Sequence, residues 1–220
     1  MADNFFIHWD GVGEKQYEAG VDRGVLFKSK ADGTYDAGVA WNGLTAVNES
    51  PSGAEENKHY ADNIKYASII SQEDFGYTIE AFTSPKEFDE CDGTREIATG
   101  VTVNQQPRKA FAFSWRTLIG NDLADLGEAG YIIHIAYNSK AQPSEKSRST
   151  VNESPEPTGF SWTCTTTPIA CDGMKPVAHV QINSLLVDAD KLKAFEKILY
   201  GEGSTPPEVM LPDDIALFFA

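Results

Sequence analysis

RKAFAFSWRT, residues 108–117, sets Phe111, Phe113 and Trp115 on one side of an extended chain and Ala110, Ala112, Ser114 and Arg116 on the other. Apolar side chains recurring at every second position mark a half-buried β-strand, because successive side chains of a pleated strand point to opposite faces. GYIIHIAYN, residues 130–138, follows, with Tyr131, Ile133, Ile135 and Tyr137 alternating with Ile132, His134, Ala136 and Asn138. Outward from this pair, FGYTIEAFT (75–83), GFSWTCTT (159–166) and PVAHVQIN (176–183) are rich in aromatic, β-branched and Thr residues between Gly or Pro. Residues 38–46 and 60–69 are weaker strand candidates. The expected fold class is mainly β, a sandwich or barrel, as a single domain over 1–220.

Two helices interrupt the strand pattern. At 84–91, Ser84 precedes Pro85, and Glu87 follows three residues after the serine, the spacing of a capping box; Asp92-Gly93 ends the turn. The second runs over 188–200 with Asp188 as cap, Leu192, Phe195, Ile198 and Leu199 at helical spacing, and Gly201 as terminator. The tail 201–220 carries Pro206, Pro207 and Pro212 before Ile215, Leu217, Phe218 and Phe219, an apolar end expected to dock on a neighbour. Residues 47–59 and 138–158 read as polar loops longer than ordinary connections, the first as the tip of a long projecting hairpin. The N-terminal segment 1–37 offers no strand or helix pattern beyond ADGTYD (31–36), a turn on Asp32-Gly33 without the closing Glu of a calcium loop. A short echo links the halves: VNESP stands at 47–51 and at 151–155, and GYTIEAFTSP (76–85) is similar to GFSWTCTTTP (159–168). A true duplication would give two related β-halves packed together.

The 220 residues hold 18 Lys and Arg against 33 Asp and Glu, a net charge of −15, which argues against a basic nucleic-acid groove. Hydrophobic residues are 41%, enough for a buried core and too many for wholesale disorder. No leader peptide is expected, and no apolar run reaches the roughly 20 residues of a membrane span, so no membrane insertion is expected. Cys91, Cys164 and Cys171 lack the spacing of a metal knot or disulfide framework and read as buried free thiols. His8, His59, His134 and His179 are scattered with no second ligand nearby in sequence, so neither a metal centre nor a cofactor is expected. No nucleophile elbow, zinc-protease motif, phosphate loop or dinucleotide fingerprint occurs, and no catalytic residue is assigned. Glu55-Glu56 and the set Glu87, Asp89, Glu90 and Asp92 read as solvated carboxylates, and the four tryptophans as core.

Several longer runs carry a resemblance. AWNGLTAVNESPSGAE (40–55), YADNIKYA (60–67), EFDECDG (87–93), QQPRKAFAFSWRTLIGND (105–122) and GYIIHIAYNSKAQPSEKSRSTVNESPEPTGFSWTCTTTP (130–168) look like the major tail proteins, or tail tube proteins, of long-tailed bacteriophages. The resemblance covers about residues 38–200. It implies a β-sandwich with a flanking helix, assembled as hexameric rings that stack into a tube through which double-stranded DNA passes without sequence-specific contact. Implied partners are further copies of the chain, a tape-measure protein, a tail terminator and baseplate or distal tail proteins. The implied location is the virion tail, reached by assembly in the host cytoplasm.

On that reading the loop Asn48, Glu49, Ser50, Pro51, Ser52, Gly53, Ala54, Glu55, Glu56, Asn57 and Lys58 makes the axial stacking contact. The four strands that each copy would lend to the main sheet of the tube are then 38–46, 60–69, 108–117 and 130–138, as two hairpins, with Trp41, Ile64, Tyr66, Phe111, Phe113, Trp115, Ile133 and Ile135 toward the core and Asn42, Asn63, Lys65, Ala67, Ala110, Ala112, Ser114, Arg116, His134 and Asn138 facing the bore. The competing readings are a monomeric carbohydrate-binding sandwich, which requires exposed tryptophans, a hydrolase using the carboxylates near 87–92, and a head decoration protein of similar composition.

Overall fold

A computed structural model describes residues 7, 9, 11–148, 150, 151, 153 and 156–220. The order of elements is β1 (Tyr17–Lys28), β2 (Val39–Trp41), β3 (Leu44–Glu49), β4 (Ser52–Gly53), β5 (Glu56–Ala61), β6 (Ile64–Ile70), β7 (Glu73–Asp74), β8 (Gly76–Ala81), a 3-10 turn (Lys86–Phe88) running into α1 (Asp89–Asp92), β9 (Arg95–Ala98), β10 (Val101–Val103), β11 (Phe111–Gly120), β12 (Gly130–Ala141), β13 (Phe160–Thr165), β14 (His179–Asn183), α2 (Ala189–Tyr200) and α3 (Pro212–Phe219). The fold is mainly β, with helices near the C-terminus.

Three layers result. A first sheet runs β2-β1-β11-β12, with β14 pairing on β12; a second runs β13-β8-β3, and the last residues of β12 join the two. Between the sheets lie Leu26, Trp41, Tyr77, Ile79, Phe111, Phe113, Trp115, Trp162 and Cys164, closed at one end by Phe88 and Cys91 of the short helical turn. On the other side of the first sheet, Val25, Phe27, Ala112, Ile133, Ile135 and Tyr137 pack under Leu192, Phe195 and Leu199 of α2 and Ile215 of α3. Asp188 caps α2 as expected, its Oδ1 accepting from the backbone N–H groups of Asp190 at 3.0 Å and Lys191 at 2.9 Å.

Burial on both faces of the first sheet accounts for the departures from the sequence reading. The register sets Trp115 opposite His134 and Arg116 opposite Ile133, so Ile133 and Ile135 turn away from Phe113 and Trp115 rather than sharing a face with them. Within β11 and within β12 the alternation has the expected phase; the relative phase of the two strands is set by their pairing. Strand β1, in the segment without pattern, pairs along β11 and is central to the first sheet. Its two register irregularities, between Ala19 and Val21 and between Asp22 and Val25, break the alternation, and Val25, Leu26 and Phe27 are consecutive because both faces are covered there.

At the short helix Pro85 is the N-cap residue and no side chain caps it, so the Ser84 capping box does not form. The apolar C-terminus docks on its own chain: Phe218 and Phe219 lie 6.1 and 5.6 Å from the Phe195 ring, while Leu217 remains exposed. The two echo segments, β8 and β13, are antiparallel neighbours in one sheet rather than equivalents in two halves. The second VNESP lies partly outside the described residues, as does His8.

Candidate functional site

Residues 44–81 form one long hairpin. Its base is β3 paired with β8, its middle β4 paired with β7, and its outer part β5 paired with β6. The reversal is at Asp62 and Asn63, whose φ angles of 51° and 63° are the two left-handed residues of a type I′ turn. The stretch 47–59 is therefore the ascending limb and not the tip. Residues 60–69, assigned from sequence to the main sheet, supply the tip and much of the returning limb. At about 3.3 Å per residue, the twelve positions between Glu49 and the turn reach roughly 40 Å at most.

Every residue from Asn48 to Tyr66 is exposed. Among them are side chains that normally seek a core: Tyr60 at 69%, Ile64 at 65% and Tyr66 at 76% exposure, joined on the returning strand by Ile69 and Ile70. Ion pairs within the arm join Glu56 to Lys58 and Lys65. At the inner bend Gly53 has φ 87°, and a Cβ there would stand 2.3 Å from the carbonyl oxygen of Gln72, so only glycine lets the limbs close.

The residues expected to face a bore do not share a surface. Ala112, Ser114 and His134 are buried inside the chain, at 0, 0 and 3% exposure, because helices and the second sheet cover both sides of the first. Ala110, Arg116 and Asn138 are half-buried, and Arg116 donates to both carboxylate oxygens of Asp22 at 2.7 and 2.6 Å. Asn63, Lys65 and Ala67 belong to the arm, and Asn42 is an isolated exposed residue after β2. A continuous polar face exists instead on the outside of the second sheet. The register aligns Ala46 and Asn48 of β3, Thr78 and Glu80 of β8, Ser161, Thr163 and Thr165 of β13 and Lys140 at the end of β12. Asn48 Nδ2 donates to Glu80 at 3.1 Å across this face, and the Thr78 and Thr163 hydroxyls stand 3.5 Å apart. It carries hydroxyl and amide groups with one carboxylate and one ammonium.

Three residues distant in sequence meet where the arm leaves the body. His134 Nδ1 lies 3.3 Å from His179 Nε2 and 3.4 Å from a Glu49 carboxylate oxygen, and that oxygen is 3.9 Å from His179 Nε2. His134 and His179 are 45 residues apart along the chain but adjacent in space: β12 and β14 are paired neighbours, and Glu49 ends β3. Only the pairing could reveal this, since the three positions lie on three strands. The ring of Trp115 stacks on both imidazoles, and Phe75 covers His179. Burial pulls both histidines down to about 4, for His179 with help from His134, so both are neutral near pH 7. Burial, and then the charge of Glu18, pushes the Glu49 carboxyl up.

Two of the four carboxylates near 87–92 are engaged in ion pairs, Glu90 with Lys109 and Lys28 and Asp92 with Arg108 and Lys146. Trp41, Trp115 and Trp162 are buried, leaving Trp9 as the exposed tryptophan. No helix among the described residues is long and apolar enough to cross a membrane.

No protein-family model matches the chain. No curated protein matches it either. Among solved structures, a chain of the PVC sheath-tube complex in the extended state, from an extracellular contractile injection system, is 14% identical at a TM-score of 0.31, over 73% of this chain and 88% of that one. A chain of the sheath/tube terminator of the same kind of system gives 14% and 0.30, over 76% and 97%. Neither likeness is close enough to carry a function across.

Proposed function

We propose that this chain is a non-enzymatic structural subunit of a virion tail, built to polymerise: copies join side to side as six-membered rings, and the rings stack into a tube for passage of double-stranded DNA. The observation that carries the reading is the arm of residues 50–76, which holds Tyr60, Ile64, Tyr66, Ile69 and Ile70 in solvent on a hairpin clear of the chain's own core. A strand ladder with both apolar and charged exposed groups is costly in a lone chain and is relieved by docking on another copy. The axial contact assigned from sequence to residues 48–58 is extended here to both limbs and the Asp62-Asn63 turn.

Lateral joining would use the open edge of β3 and, at the opposite side of the second sheet, the segment continuing β12 beyond Ala141, where the Gln142 N–H donates to Thr163 at 2.7 Å. Four strand positions per copy, spaced about 4.8 Å and tilted about 40°, close at six copies into a barrel roughly 48 Å across its backbone. Side chains of roughly 5 Å per wall leave a bore of about 38 Å, enough for a duplex roughly 20 Å wide. The polar outer face of the second sheet would line it, and a wall nearly free of cations adds little salt-sensitive hold on phosphate. A carbohydrate-binding module is the weaker reading, since Trp41, Trp115 and Trp162 are buried and Trp9 by itself is a single exposed ring rather than a stacking platform.

The test replaces residues 54–72 with a short Gly-Ser turn, which removes both limbs together. The expected protein folds and melts as the parent does but forms no tubes by negative-stain microscopy. Tubes of normal length from the truncated protein would contradict the reading.

A further inference from the structure

We propose that Glu49, His134 and His179 bind a divalent transition ion of the zinc class, and that the ion fastens the root of the arm to the body. The inference stands on the site alone and does not depend on tube assembly.

The geometry suits an ion better than an ordinary polar cluster requires. The three donor atoms, separated by 3.3, 3.4 and 3.9 Å, lie on a circle of radius about 2.1 Å, and zinc bonds to imidazole nitrogen and carboxylate oxygen run roughly 2.0–2.2 Å. One point is therefore at bonding distance from all three without moving any of them. Two imidazoles and a carboxylate are the donor set of zinc and its first-row neighbours, whereas calcium and magnesium take oxygen donors.

The surroundings hold the first ligand in place. The other nitrogen of His134, Nε2, is 2.9 Å from the Thr117 hydroxyl and 3.8 Å from a Glu18 carboxylate oxygen, the outer partners that fix the orientation of a ligating histidine. Trp115, stacked within 5.0 Å of His134 and 5.4 Å of His179, keeps the two rings nearly parallel. The Glu49 side chain, 34% exposed against 4% for His134, gives the ion its way in and leaves a further coordination position to water. Glu49 is the last residue of β3 before the arm begins, whereas both histidines belong to the first sheet. An ion there would join β3, β12 and β14 at the point about which the arm would otherwise pivot.

The experiment uses the full-length chain without an affinity tag, stripped with chelator and titrated with zinc chloride by calorimetry and with cobalt as a visible-absorption probe. The expected result is one ion per chain, low-symmetry cobalt absorption, and a thermal midpoint that rises with zinc and falls back with chelator. Glu49→Gln and His179→Gln should each weaken binding at least about tenfold. Glu49→Gln is isosteric and changes a side chain that is 34% exposed against 4% for His134, so it keeps the test valid if the histidine variant fails to fold. Absence of stoichiometric binding, or binding unchanged in Glu49→Gln, would overturn the proposal. The latter result would place the ion elsewhere, for instance on the exposed His59.

Discussion

Gly53 shows how much a single position can decide. Its φ of 87° and the 2.3 Å approach of the Gln72 carbonyl to any added Cβ make Gly53→Ala strained twice over, at roughly 1–3 kcal/mol for the backbone conformation before the clash. Hydrogen exchange is expected to show faster opening across residues 52–74 in that variant, with protection of β11 and β12 unchanged. The cysteines give a second outcome. Burial pushes the Cys91 and Cys164 thiols up to about 12, so both stay protonated and unreactive in the native state. Native labelling near pH 8 should modify one thiol per chain, Cys171, and three after denaturation. A folded thiol value above the unfolded one means that stability is fully present below about pH 9 and is lost as pH rises from there toward 12. An alkaline unfolding curve flat across that window would contradict the burial of the two thiols.

At the scale of elements, the arm and the helix α2 answer to different neighbours. Phe195, fully buried between the first sheet and the C-terminal phenylalanines, should cost about 3–5 kcal/mol when replaced by alanine, read as a fall in the denaturation midpoint. Deleting residues 50–58 alone would strip β6 of the partners of Ser68, Ile69 and Ile70, so the clean deletion takes both limbs. Strands β8, β11, β12, β13 and β14 and helix α2 were legible because each carries its own period and its own cap or glycine stop. The arm's existence was legible and its extent was not. Asp62-Asn63 is a turn pair between two six- or seven-residue strands, a signal outweighed by the polarity of 47–59. Strand β1 was hidden by its irregularities and by burial on both faces. The Glu49, His134 and His179 cluster could not be read at all, because it exists only once β12, β14 and β3 have found their places. The buried state of Ala112, Ser114 and His134 was equally out of reach: a small or polar residue alternating with aromatics looks the same whether water or a helix covers it.

At the scale of the whole molecule, two properties pull in opposite directions. A net charge of −15 keeps separate copies apart, while the exposed tyrosines and isoleucines of the arm and the open edge of β3 favour joining them. Assembly is therefore expected to strengthen with added salt, as screening weakens the repulsion and leaves apolar contacts intact. Light scattering across a salt series checks this, and polymers that dissociate as salt rises would count against it. The most direct measurement is electron cryo-microscopy of concentrated, purified full-length protein in virion-like salt. The account predicts six-fold rings stacked into tubes, with a bore of about 38 Å lined by the second sheet and each arm laid across the neighbouring ring. Single particles at every concentration, with the arm touching no other copy, would contradict it.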